Sequence, residues 1–109
     1  MKTIIAGSRG WIYDITEVLD SHPEITEVVS GLAKGPDTLG KLWAKERGIP
    51  VKEFPADWDT FGRKAGPLRN TQMGDYADQL IAFWDGNSSG TRHMIKYMQS
   101  LNKPVTVVR

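Results

Sequence analysis

Residues 3–10 read Thr3-Ile4-Ile5-Ala6-Gly7-Ser8-Arg9-Gly10, a short apolar and β-branched run leading straight into a glycine-bracketed turn. Such a run is the pattern of a strand buried on both faces, and glycine at its end lets the chain turn tightly into a helix. Working outward, the same alternation recurs. Strands are expected at Thr3–Ala6, Glu27–Ser30, Val51–Phe54, Leu80–Trp84 and Val105–Val108. Between them Trp11, Ile15, Val18 and Leu19 predict one helical stripe, Leu39, Leu42 and Trp43 a second, and Met94, Met98 and Leu101 a third, with a further helix over Pro67–Ala77. Gly48 follows the second helix, Pro50 and Pro104 precede strands, and His22-Pro23 closes the first helix. Short strands alternating with helices predict an α/β fold, a parallel sheet covered by helices.

The chain has 109 residues, 39% hydrophobic and 25% charged, which fits one domain over residues 1–109 and no second core. Fourteen basic against thirteen acidic residues leave a formal charge of +1, without the broad positive field of sequence-independent nucleic-acid binders. Nucleic acid is therefore not the expected partner, although a local basic pocket is compatible with this balance. The absence of cysteine excludes disulfides, thiolate metal sites and a cysteine nucleophile. The apolar run before Gly7 is too short for a signal peptide or a membrane span, so a soluble, cytoplasmic protein is expected, with no membrane partner.

Candidate functional residues cluster in loops that follow strands and open helices, where unpaired N–H groups and the helix dipole attract anions. The first loop is Gly7-Ser8-Arg9-Gly10: glycine for close backbone approach, Ser8 as a donor, Arg9 as a phosphate or base contact. The second follows strand two, where Gly31, Leu32, Ala33, Lys34 and Gly35 lead to Pro36 and Asp37. Lys34 is an anion contact in this reading. Asp37, in the first helical turn, suits a structural or ribose-hydroxyl role better than catalysis. The third loop carries Gly86, Asn87, Ser88, Ser89, Gly90 and Thr91, more hydroxyls and glycines than a helix cap requires. Arg69 and Asn70 lie near a further helix start, where an exposed salt bridge is the bland alternative for Arg69. Trp84 and Trp58 are stacking candidates, though Trp58 and Phe61 could equally pack the long Pro55–Gly66 stretch down as a small cluster. His93 reads as a solvated first-turn residue and His22 as a surface loop residue. No metal-binding constellation and no cofactor fingerprint such as GxGxxG or Walker A is present.

These segments resemble the SLOG superfamily of Rossmann-like proteins, and within it the small stand-alone YspA-type proteins. The resemblance rests on Gly7–Gly10, on Ser30–Asp37 followed by Leu42-Trp43-Ala44, on Phe54–Trp58, on Gly66–Asn70 with Met73, and on Ser89-Gly90-Thr91. It implies a three-layer αβα architecture with a five-stranded parallel sheet of order 3-2-1-4-5. It also implies a pocket for nucleotides or their derivatives, ADP-ribose-type signals included. Ser30–Asp37 is also similar to the SGxARGID motif of the DprA/Smf proteins, with Lys34 for arginine and Pro36 for isoleucine, which implies single-stranded DNA binding as a further alternative. The LOG phosphoribohydrolases of the same superfamily carry PGGxGTxxE. Here Gly90-Thr91 match, but Gly86 replaces the proline, Asn87 and Ser88 the glycines, and Met94 the catalytic glutamate.

A thioether cannot act as a general acid or stabilise an oxocarbenium-like centre, so no catalytic residue is assigned. The leading expectation is therefore a binding protein that senses or sequesters an ADP-ribose-type nucleotide ligand, a role compatible with a phage or mobile-element anti-defence protein. A LOG-like N-glycosidic hydrolase is the alternative. A homo-oligomer is expected, with apolar helix faces shared between subunits.

Overall fold

The computed structural model describes residues 1–109. Along the chain lie β1 (Lys2–Gly7), α1 (Thr16–Asp20), β2 (Glu27–Ser30), α2 (Pro36–Glu46), β3 (Val51–Glu53), α3 (Trp58–Phe61), α4 (Ala65–Tyr76), β4 (Gln79–Phe83), α5 (Ser89–Ser100) and β5 (Val105–Val108). A 3-10 turn at Gly62–Lys64 joins α3 to α4. The strands form one parallel sheet of order β3-β2-β1-β4-β5, the Rossmann-like arrangement that the resemblance implied.

Continuous apolar runs make the two central strands, because both of their faces are covered. Thr3–Ala6 of β1 and all of β4 are buried, and successive side chains go to opposite layers. Ile4, Leu80 and Ala82 join Met73, Met94 and Met98 on one side; Ile5, Ile81 and Phe83 join Leu19, Trp43 and Ala44 on the other. The edge strand β3 is three residues long and exposes Lys52 and Glu53, a short and charged edge that resists further strand pairing.

Three helical expectations change. Helix α1 starts only at Thr16, and Trp11 lies in the connection before it, tilted against Phe83 with ring centroids 5.7 Å apart. In α2, Leu39 and Leu42 face outward, 39% and 51% exposed, while Pro36, Asp37, Gly40, Trp43 and Ala44 face the sheet. Close approach explains the reversal: a Cβ on Gly40 would come within 2.7 Å of Ile5 Cγ2, so the helix settles on its smallest residues. At the end of α5, Leu101 is an exposed cap residue, and Ile95 takes the buried place beside Met94 and Met98. Helix α4 begins two residues before Pro67, which its first turn accommodates because that turn has no intrahelical N–H bonds to lose. No helix is long and apolar enough to cross a membrane.

Candidate functional site

The sheet order reverses at β1, with β2 on one side and β4 on the other, and the loops leaving β1 and β4 diverge there. Open α/β sheets form their ligand crevice at such a point. Here it is a cavity of about 870 Å³ lined by residues of all three glycine-containing loops and of α4.

The first loop is fastened to the end of β4. Ser8 N–H donates to the Phe83 carbonyl at 2.9 Å, and Ser8 Oγ accepts from Asp85 N–H at 2.9 Å. Ser8 is thus buried and engaged in holding the loop. Gly7 is demanded by proximity, since a Cβ would stand 2.2 Å from the Phe83 carbonyl oxygen.

In the second loop, Asp37 is 5% exposed, with the backbone N–H groups of Ala33, Gly7 and Gly31 near its carboxylate. Burial pushes its pKa from 3.8 up to about 6, against the lowering pull of Arg69 and those amides.

The third loop behaves differently. Asp85 Oδ1 accepts from Asn87 N–H at 2.7 Å and Ser88 N–H at 3.0 Å, and these bonds hold its pKa below the usual carboxylate value. Ser88 caps α5, its Oγ accepting from Thr91 N–H at 3.4 Å. The amides of Ser89 and Gly90, in the first turn of this twelve-residue helix, have no acceptor in the chain. They are donors left for an anion.

Arg69 and Asn70 connect these loops. Arg69 Nη1 donates to the Gly31 carbonyl and Nε to Asn70 Oδ1 at 3.1 Å; Asn70 Nδ2 donates to the Gly90 carbonyl and to His93 Nδ1, each at 3.2 Å. The bland expectation of an exposed salt bridge for Arg69 is corrected: the side chain is partly buried and ties the β2–α2 loop to the start of α5. His93 is likewise no free surface residue. It lines the cavity, and with Nδ1 accepting, a neutral ring carries its proton on Nε2.

Among the residues singled out from sequence, Gly7, Ser8 and Arg9 line the cavity with Ala33 and Asp37. Arg69, Asn70 and the run from Asn87 to Thr91 line it too. Gly31, Leu32 and Lys34 instead line an adjoining hollow of about 330 Å³. Gly35, Trp84 and Gly86 line neither. Gly35 and Gly86 serve backbone geometry, with φ of 86° and 90°. Trp84 stands outside as a brace: its Nε1 donates to the Ser88 carbonyl at 3.1 Å, and the guanidinium groups of Arg92 and Arg109 lie 5.7 and 5.2 Å from its ring.

The aromatic at the cavity is Trp58, 54% exposed and facing both hollows, not packed down with Phe61, which is itself 50% exposed. Arg63 lines the cavity as well. Met94, in the place of the LOG glutamate, is a buried core residue that also lines the cavity.

The family model for the YspA, cpYpsA-related SLOG family matches residues 1–61. The Gene 61 protein of Mycobacterium phage D29 is 36% identical over 116 aligned residues, covering 95% of this chain and 93% of the phage protein. In the solved structures, DNA processing protein A (DprA) from Streptococcus pneumoniae superposes with a TM-score of 0.79 at 18% identity. That match covers 99% of this chain and 50% of DprA, so the chain spans half of that protein, and the likeness concerns the fold.

Proposed function

Starting from the fact that the chain belongs to the YspA, cpYpsA-related SLOG family, we propose that it binds a nucleotide-derived small molecule such as ADP-ribose, as a sensing or sequestering protein. One observation carries this reading: the free Ser89 and Gly90 amides at the start of α5 open into the same cavity as Arg9, Arg63 and Arg69. Free helix-terminal amides beside guanidinium groups suit a phosphoryl group. Trp58 offers a half-exposed face for a base. Sequestration of this kind would remove a nucleotide signal from the cell in which the protein is made. Calorimetric titration of the purified protein with ADP-ribose, followed by mass analysis of the recovered ligand, tests this. Tight binding with unchanged mass supports sequestration; no heat of binding with ADP-ribose or a panel of nucleoside monophosphates removes it.

A second reading, hydrolysis of a nucleotide N-glycosidic bond, is favoured by Asp37, a cavity-lining carboxyl whose pKa of about 6 suits general acid or base work near neutrality. Release of free base from nucleoside monophosphates, abolished in Asp37→Asn, would establish it. Intact recovery of every bound ligand would remove it.

A further inference from the structure

The main cavity leaves unexplained the shallower hollow beside it. The two meet along Arg9, Ala33, Trp58 and Arg69, which line both. Across from Trp58 the hollow is bounded by Leu32 and Lys34 of the β2–α2 loop. Its charge differs from that of its neighbour. Three cations, Arg9, Lys34 and Arg69, line it with no carboxylate, whereas Asp37 and Asp85 stand among the cations of the main cavity.

Neither Arg9 nor Lys34 forms an ion pair. The chain's ion pairs join His22 to Glu24, Lys41 to Glu53, and Arg47 to Asp20 and Glu46. Unpaired positive charges gathered around a concavity repel one another and concentrate anions there.

A separate observation lies in the backbone of the same wall. Leu32 has φ of 62°, in the left-handed region that a leucine enters only under strain, and its side chain stays exposed. Its N–H is held by Ser30 Oγ at 3.2 Å. Strain of this kind persists where the surrounding structure enforces it, and here it shapes the wall that carries Lys34.

Resting on the nucleotide reading of the main cavity, we propose that the hollow is a second anion subsite. The ligand is then a nucleotide derivative with two separated phosphoryl groups, unlike ADP-ribose, whose two phosphates are joined directly. One sits at the start of α5, the other against Arg9 and Lys34, and the base or ribose between them lies on Trp58. A lone mononucleotide would fill only the first position.

The test compares AMP with adenosine 2′,5′- and 3′,5′-bisphosphate by calorimetry on the full chain, as wild type, Lys34→Gln and Arg63→Gln. Lys34 is exposed, so its replacement leaves the fold intact. A bisphosphate is expected to bind roughly tenfold or more tightly than AMP, as one added charge-assisted contact implies. Lys34→Gln should erase that advantage and leave AMP affinity within about twofold, while Arg63→Gln, at a cation of the main cavity alone, weakens all three ligands alike. If AMP binds and the second phosphate adds nothing, or its advantage survives Lys34→Gln, the second subsite is overturned and the main-cavity reading stands. If none of the three binds the wild type, both readings fall together.

Discussion

Arg69 Nη1 donates to the carbonyl oxygen of Gly31, thirty-eight residues away in sequence, at 2.5 Å, and the same guanidinium supplies the positive charge that faces Asp37. One side chain thus closes the β2–α2 loop over the cavity and offsets part of the penalty of a buried carboxylate. Removing it leaves a carbonyl without its donor and a carboxylate without its counter-charge.

Arg69→Ala is therefore expected to destabilise the fold by about 2–3 kcal/mol in urea denaturation at pH 7, and to raise the Asp37 pKa further. Arg69→Lys should recover only part of the loss, because an ammonium cannot serve Gly31 and Asn70 through a planar fork. Full recovery by lysine would show that charge alone matters.

The raised pKa of Asp37 has a definite sign. Between pH 4 and 6 the folded chain holds a proton that the unfolded chain has released, so this group's contribution to stability is complete below pH 4 and is lost as pH rises through about 6. The difference in stability between wild type and Asp37→Asn should shift on the order of 3 kcal/mol in favour of the variant on going from pH 4 to pH 7. A difference independent of pH would mean that Asp37 titrates normally in the folded protein.

Gly7→Ala should destabilise by about 2–3 kcal/mol or prevent folding, since its Cβ would press on the Phe83 backbone and on Pro36 Cγ, 2.7 Å away. Gly10→Ala is the control: nothing lies within 4 Å of the added atom, and the change should stay within about 0.5 kcal/mol by thermal or urea unfolding. Equal effects would show that the first loop is not clamped against β4.

Trp58→Ala should leave stability nearly unchanged, because the side chain is half exposed, and should weaken nucleotide binding about fivefold or more through lost stacking. Ligand-induced fluorescence quenching, if the ring stacks, should vanish in Trp58→Phe. Quenching that persists there would assign the change to another of the four tryptophans.

Strand positions were legible because β1 and β4 lie at the centre of the sheet: Ile4-Ile5-Ala6 and Leu80-Ile81-Ala82-Phe83 must be apolar at every position when helices cover both faces. Helix orientation was less legible. Size and hydrophobicity pointed Leu39 and Leu42 inward together with Trp43, but a helix that must approach Ile5 closely turns Gly40 and Ala44 to the sheet beside Trp43, leaving Leu39 and Leu42 outside. The site was legible as a set of loops and not as a set of contacts. Gly31 and Lys34 were grouped with Gly7 and Ser89, yet they line a different hollow.

By itself the sequence determined the α/β alternation, the strand ends that carry the glycine-rich loops and the family to which they belong, because each is written in local period and composition. Only the tertiary structure decided which amides remain free. The Phe83 carbonyl takes the N–H of Ser8, and Asp85 those of Asn87 and Ser88, while Ser89 and Gly90 stay unpaired. A backbone donor is available to a ligand only if no acceptor reaches it, and some of those acceptors arrive from distant parts of the chain. That is a property of three-dimensional closure, which spacing along the sequence does not encode.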